Sequence, residues 1–167
     1  ANKDCGYGHI SRCLSIAFIF IENRIPCNIV CPISDLKQVK EWMTKENFEQ
    51  RLANIIFIHY DSPFADRDFL EKVKKADASK TSLFVVDEAH RFINNVYNNV
   101  SSKKGKRAQV IYDYIQQEKK ENSNTRIMLL SATPAVNNPF EFALIFNLLR
   151  PGSFPTSESI FQQLFIS

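Results

Sequence analysis

The chain has 167 residues, of which 44% are hydrophobic and 23% are charged, a composition typical of one globular domain with a sizeable core. This composition excludes collagen-like, coiled-coil and mainly disordered proteins. The 21 basic and 18 acidic residues leave a net charge of +3, too small to indicate a nucleic-acid partner by itself. Only four glycines are present, so we expect each one to meet a special demand of the backbone.

The cysteines and the apolar runs indicate a reducing compartment and no membrane span. The four cysteines have spacings that match no pair of C-x-x-C zinc knuckles, so we expect reduced, largely buried thiols at Cys5, Cys13, Cys27 and Cys31. The longest apolar run, Ile16 to Ile21, is far shorter than the roughly 20 residues that cross a bilayer. We therefore expect a soluble intracellular protein with no membrane partner. The absence of a starting Met and the apolar pattern still repeating near Phe165 indicate a piece of a longer protein.

Short apolar runs alternate with segments of helical period, which predicts βαβ units and a mainly parallel sheet. The predicted strands are continuously apolar, as expected where both faces of a sheet are covered. In chain order they are Asn28–Cys31, Ile55–His59, Leu83–Val86 and Ile127–Leu130. The predicted helices cover residues 10–22, 36–45, 68–75, 107–120 and 139–149.

Several breaks and loops follow from local composition. Ser34 and Asp35 are candidate caps for the second helix, and Pro151-Gly152 would end the last one. The polar, Asn-rich stretch from Asn94 to Lys106 predicts an exposed loop. The helix over 139–149 is apolar on nearly every side, so we expect it to be buried.

The strongest chemical signal is LFVVDEAH at 83–90, an apolar strand that ends in two adjacent carboxylates. Ligands of open α/β sheets bind at the carboxyl ends of strands. There Asp87 could hold Mg²⁺ through its water shell, while Glu88 orients and deprotonates a water that attacks a γ-phosphate. The simpler alternative is a helix N-terminus with Asp87 as its cap and Glu88 in its first turn.

A second signal is IMLLSATP at 127–134, another buried strand that runs into small hydroxyl residues and proline. Ser131 and Thr133 could bond to His90 or to the carboxylates and so report the state of the nucleotide. Alone, this pattern favours a strand that simply leaves through a hydroxyl-rich turn. Together with the acidic pair it is far more specific, and the separation leaves room for one crossover helix.

Here the chain resembles the superfamily 2 helicases and translocases, whose motif II reads DEAH and whose motif III reads SAT. The segment from 131 to 165 is similar to the Snf-type translocases, above all those of large DNA viruses. The resemblance implies one three-layer RecA-like lobe over 1–167, with a second lobe elsewhere in the protein. It also implies ATP and Mg²⁺ as cofactors, double-stranded DNA as partner and, for a viral protein, possible association with the virion. Asp87 and Glu88 would be catalytic, and His90, Ser131 and Thr133 would couple hydrolysis to movement.

The sequence departs from the family where a phosphate-binding loop ending Gly-x-Gly-Lys-Thr is expected. The resemblance assigns nucleotide binding to Gly6, Gly8, His9 and Ser11. His9 stands at the lysine position and Ile10 at the hydroxyl position, so charge-assisted phosphate contacts are lost and affinity should fall by about tenfold or more. A degenerate ATPase lobe, a shifted loop register and an accidental likeness over these residues all remain open. A non-hydrolysing lobe that binds DNA or protein is therefore the alternative function.

The remaining candidates are weaker. NIVCPISDL at 28–36 resembles motif Ia, which assigns nucleic-acid contacts to Pro32 and Ser34, although an ordinary strand, turn and capped helix explains it too. SSKKGKR at 101–107 includes Lys103 and Lys104, which could contact phosphates or belong to a solvated loop. His59-Tyr60-Asp61 follows a strand and could line the same edge of the sheet, but no partner is identifiable and it is interpreted as a structural turn. Trp42 is interpreted as a core residue.

Overall fold

The computed structural model describes residues 15–16, 19, 27–31, 55–75, 83–102, 105–133 and 137–166. Its centre is a parallel sheet of strands β1 (Cys27–Cys31), β2 (Ile55–His59), β3 (Leu83–Val86) and β4 (Arg126–Leu129), in the order β2-β1-β3-β4. Ile29 of β1 aligns with Phe57 of β2 and with Val85 of β3. The predicted parallel sheet is confirmed, and the predicted strand boundaries hold to within one residue.

Five described helices accompany the sheet: α1 (Ala65–Lys75), α2 (Ala89–Ser102), α3 (Arg107–Glu121), α4 (Phe140–Leu149) and α5 (Glu158–Phe165). Helix α3 packs against α1, α2 and α4, and α2 also packs against α4. Phe84 and Val86 belong to the core that these helices share, whereas the side chains of Leu83 and Val85 point to the opposite face and are buried as well. Both faces of β3 are therefore covered, and the predicted α/β class is confirmed.

The exposed loop predicted for Asn94–Lys106 is wrong over most of its length. Helix α2 continues through Ser102, because Phe92, Ile93 and Val96 are fully buried at helical spacing beneath the asparagines. Only a short connection to α3 remains. In it Gly105 adopts a φ of +71°, a left-handed conformation that favours glycine.

The all-round burial predicted for the helix at 139–149 is also wrong. In α4, Phe140 and Leu148 are buried, but Phe142 and Phe146 are 46% and 47% exposed. The reason is that its neighbours α2, α3 and α5 pack against only part of its surface. The predicted stop is confirmed, since α4 ends at Leu149 and Gly152 follows with a φ of +83°.

The cysteines and the apolar segments bear on the environment of the protein. Cys27 is a free, buried thiol, and burial raises its pKa to about 12. Cys5 and Cys13 lie outside the described residues, as do the cap candidates Ser34 and Asp35, Trp42 and the helix predicted over 36–45. In the described part of the chain, no helix is both long and apolar enough to cross a membrane.

Candidate nucleotide site

The residues that follow β2, β3 and β4 lie at the same edge of the sheet as the end of β1, because parallel strands all end on the same side. Backbone hydrogen bonds join the segments there. The Asp87 amide donates to Val30 O (2.8 Å), the Leu130 amide donates to Val86 O (2.9 Å), and the Ala89 amide donates to Leu130 O (2.9 Å). The two sequence motifs are thus adjacent in space, as a carboxyl-edge site requires.

Asp87 and Glu88 form a tight turn between β3 and α2. Asp87 is buried, with only 1% of its surface exposed to solvent. Glu88 has a φ of +48°, the left-handed region that residues with a Cβ rarely adopt. Its carbonyl accepts hydrogen bonds from the amides of Arg91 (2.8 Å) and Phe92 (3.3 Å). Glu88, rather than Asp87, therefore occupies the boundary position of α2, which disagrees with the simpler reading of Asp87 as the helix cap.

His90 connects the acidic pair to the hydroxyl motif. Its Nδ1 lies 2.8 Å from Ser131 Oγ and 3.4 Å from Glu88 Oε2. Ser131 Oγ donates to Thr133 O (2.9 Å) and accepts from the Thr133 amide (3.2 Å). Since the serine proton is used on Thr133 O, the arrangement favours the imidazole tautomer that carries its proton on Nδ1. The contact of His90 with Ser131 is as the sequence predicted, and Thr133 takes part through its backbone.

Two residues that the sequence analysis assigned to a structural turn contact this site. The turn itself exists, since the Ser62 amide donates to His59 O (3.1 Å). The buried Tyr60 hydroxyl lies 3.5 Å from Asp87 O and 3.4 Å from Glu88 O. Asp61 accepts from Arg91 Nη2 (3.2 Å) and from Asn95 Nδ2 (3.1 Å). Their position after β2 indicates this edge of the sheet, but their partners are 27 to 34 residues away and could not be identified from the sequence.

The Tyr60 hydroxyl is held in its neutral form. Burial raises its pKa above the usual range, and the negative charges of Asp61, Glu88 and Asp87 raise it further, while Arg91 opposes them. The hydroxyl therefore remains a hydrogen-bond donor at every physiological pH.

A polar network lies behind the hydroxyl motif. Asn94 Nδ2 donates to the buried Glu141 Oε1 (2.9 Å), and Asn138 Nδ2 donates to Tyr97 OH (2.7 Å) and to Glu158 Oε1 (3.1 Å). Tyr97 OH also donates to Glu158 Oε1 (3.1 Å). The network ties α2 to the start of α4 and to α5. No local sequence pattern pointed to it.

Between these groups is a cleft of about 190 Å³, lined by Asp61, His90, Arg91, Asn94, Asn95 and Asn137. Many of its polar groups already bond to one another, as the Asp61 contacts show. The cleft therefore runs along the first turns of α2, and neither Asp87 nor Glu88 lines it.

The donor set fits Mg²⁺ bound together with a nucleotide. Within the described ranges there is no group of three or more His, Cys, Asp and Glu side chains that could enclose a metal ion. Mg²⁺ in phosphate-transfer sites is held by one or two carboxylates, waters and the substrate phosphates, so it does not need such a group. Asp87, a buried carboxylate at the end of a strand, suits that role because a bound cation offsets the cost of burying its charge.

The other residues predicted to bind ligands lie outside the described residues. They are Gly6, Gly8, His9 and Ser11 of the phosphate loop, Pro32 and Ser34 of the motif Ia segment, and Lys103 and Lys104 of the basic segment. Their assignments stay predictions.

A family model for the DEAD/DEAH box helicases matches residues 26–142, well over half of the chain. The chain belongs to the DEAD/DEAH box helicase family. The match covers the sheet, the acidic pair and the hydroxyl motif, so the α/β lobe is of the RecA-like type, as the resemblance implied.

Two curated relatives are viral. The chain is 53% identical over 141 residues to "Putative ATP-dependent RNA helicase R350" of Acanthamoeba polyphaga mimivirus, an alignment that covers 79% of this chain and 17% of the relative. It is 27% identical over 118 residues to "Nucleoside triphosphatase I" of Melanoplus sanguinipes entomopoxvirus, covering 68% of this chain and 18% of the relative. The chain thus spans less than a fifth of each of these relatives. Superfamily 2 and a viral context are supported.

Proposed function

We propose that this chain is the first motor lobe of an ATP-dependent nucleic-acid translocase or helicase. The observation that carries the proposal is the acidic pair Asp87-Glu88 at the carboxyl edge of a parallel sheet, joined through His90 to Ser131, which follows the neighbouring strand β4. Membership of the DEAD/DEAH box helicase family supports the same function. The names of the two relatives, a putative ATP-dependent RNA helicase and a nucleoside triphosphatase, agree with it.

In this proposal the two carboxylates have different tasks. Asp87 holds magnesium through its water shell, and the ion, when bound, neutralises charge on the nucleotide phosphates. Glu88 orients the attacking water and accepts its proton. Glu88 suits this role because its residue is partly open to solvent, while Asp87 is buried behind it.

His90, Ser131 and Thr133 would transmit the state of the nucleotide. Loss or gain of negative charge beside Glu88 changes the force on the His90 ring, 3.4 Å away, and the ring contacts Ser131 directly. Ser131 in turn holds the backbone of Thr133. A small movement of the acidic turn would thus move the segment that follows β4.

For the nucleic acid we propose duplex DNA, on the likeness of the segment after SATP to Snf-type translocases. Pro32, Ser34, Lys103 and Lys104 are the proposed contacts. The second RecA-like lobe of the full protein is the proposed partner that completes the nucleotide site, and the motor would act inside the cell or, for a viral protein, in association with the virion. The mimivirus relative is named an RNA helicase, so RNA is the competing substrate that the experiment must include.

The alternative is a lobe that keeps the fold and a binding surface without hydrolysis. It rests on His9 and Ile10, which stand where the family has a lysine and a hydroxyl residue. The acidic pair argues for hydrolysis, and the loop argues against it.

The test is ATP turnover by the full-length protein alone and with duplex DNA, duplex RNA and single-stranded RNA of matched length. Turnover that duplex DNA stimulates more than either RNA supports the proposal. Greater stimulation by RNA would reassign the substrate, and absence of turnover together with intact binding of DNA or protein would favour the alternative. The variant His9→Lys tests the loop alignment, since nucleotide affinity should rise by about tenfold if the alignment is correct.

A further inference from the structure

The backbone of the acidic turn is held in an unfavourable conformation. The φ of +48° at Glu88 is not required for a strand to lead into a helix, and few residues with a Cβ adopt it. Such conformations persist only where surrounding groups hold them, and they concentrate at functional sites. Something in the structure must therefore fix the two peptide groups that flank the Glu88 Cα.

Tyr60 is placed to do this. Its hydroxyl lies within hydrogen-bonding distance of Asp87 O and Glu88 O, at 3.5 Å and 3.4 Å. One of these carbonyls belongs to the peptide before the Glu88 Cα and the other to the peptide after it. Because a hydroxyl has a single proton, it is shared between the two oxygens. A donor held by both peptides restrains φ and ψ of Glu88 together.

The tyrosine ring is itself fixed. Tyr60 is 3% exposed, and its ring packs edge-on against Phe92 of α2 at a centroid distance of 5.4 Å. The next residue, Asp61, bonds to Arg91 and Asn95 on the outer side of the same helix. The residues after β2 therefore contact the first turns of α2 both in the core and at the surface. These contacts hold the Tyr60 hydroxyl at a fixed position beside the acidic turn.

We propose that Tyr60 is a positioning residue for the acidic pair, holding Glu88 in its left-handed conformation by a hydrogen bond shared between the carbonyls of Asp87 and Glu88. This inference rests on the proposed function for its effect on catalysis. It acts through the backbone of Glu88 and needs no contact between Tyr60 and the nucleotide.

The variant Tyr60→Phe removes the hydroxyl and keeps the ring that packs on Phe92. The chain offers a matched control in Tyr112, which is also buried and donates its hydroxyl to a backbone carbonyl, Leu144 O, at 2.8 Å. Tyr112→Phe thus removes a core tyrosine hydroxyl bond away from the acidic turn. In the full-length protein we expect Tyr60→Phe to lower kcat for ATP by about tenfold with KM nearly unchanged, because small misplacements of reacting groups are costly.

Comparison of the two variants separates positioning from general stability. Tyr112→Phe should lower the urea midpoint at least as much as Tyr60→Phe and leave kcat unchanged. If kcat of Tyr60→Phe stays within twofold of the wild type, or if both variants lose activity in step with stability, the proposal is overturned.

A second measurement does not depend on turnover, so it remains decisive if the proposed ATPase function fails. Glycine accepts a positive φ without strain, so Glu88→Gly relieves the turn that Tyr60 holds. In the wild type, loss of the Tyr60 hydroxyl lets the strained turn relax, which offsets part of the lost bond energy, whereas the Glu88→Gly turn has no strain to release. The loss in urea midpoint caused by Tyr60→Phe should therefore be larger in the Glu88→Gly background than in the wild type, a coupling typical of groups in one network. An equal loss in both backgrounds would refute the link between Tyr60 and the Glu88 backbone, whatever the activity of the protein.

Discussion

The strained backbone at Glu88 leads to a prediction about stability that can be tested with two substitutions at one position. Glu88→Ala and Glu88→Gly both remove the carboxylate and its contact with His90. The difference between their free energies of unfolding therefore measures the cost of the backbone conformation. At a φ of +48° the alanine Cβ keeps the strain, which costs about 1–2 kcal/mol for an L-residue outside glycine. Glycine gives back about 0.4–1 kcal/mol through its greater freedom in the unfolded chain.

The free energy of unfolding of the Glu88→Gly variant should therefore exceed that of Glu88→Ala by roughly 0.5–1 kcal/mol. Glycine is also favoured over alanine where a helix begins, as α2 does directly after Glu88, which moves the expected value toward the upper end. Urea unfolding followed by circular dichroism measures the difference, about 0.5 M in the midpoint at an ordinary slope. An alanine variant as stable as the glycine variant, or more so, would refute the assignment of strain to this residue.

Three further predictions concern the surroundings of the site. Asn138→Ala should cost about 1 kcal/mol because the part-buried carboxylate of Glu158 loses a donor, whereas the exposed Asn124→Ala should leave the urea midpoint nearly unchanged. Phe92→Ala should cost about 3–5 kcal/mol in urea unfolding, since the ring is fully buried; a loss below about 1 kcal/mol would contradict its place in the core. Cys27 has a pKa raised to about 12, so its thiol stays protonated in the folded protein and iodoacetamide at pH 8.5 should label it only after urea is added, as peptide mass spectrometry would show. The raised pKa also affects stability. The unfolded thiol ionises above about pH 8.5 while the folded thiol stays protonated, so the contribution of Cys27 to the free energy of unfolding falls as the pH rises from about 8.5 to about 12.

The sequence predicted the elements whose signal is local. The four described strands were predicted because each contains a run of apolar residues, and the contact between His90 and Ser131 followed from placing two strand ends on one edge. Helix α2 was missed in part, because its asparagines suggest a loop while Phe92 and Val96 supply the apolar face that decides the structure. The average composition of this segment is polar and suggests a loop, whereas the spacing of its apolar residues indicates a helix.

The missed features depend on contacts between residues far apart in the chain. The Tyr60 hydroxyl reaches backbone that is 27 and 28 residues away, and Asn94 bonds to Glu141 across 47 residues. Neither contact can be predicted from local periodicity or propensity. The partial exposure of α4 was missed for a similar reason. When a helix is apolar on nearly every side, its sequence does not indicate which face packs against the rest of the protein.

The most direct test of the proposed motor function is ATP turnover by the full-length Glu88→Gln variant beside the wild type, with ATP binding measured in parallel. The substitution keeps the size of the side chain and removes the proposed base, so turnover should fall by at least about 100-fold while binding is retained. Wild-type turnover that Glu88→Gln leaves unchanged would contradict the assignment of Glu88 as the base and, with it, the proposed mechanism.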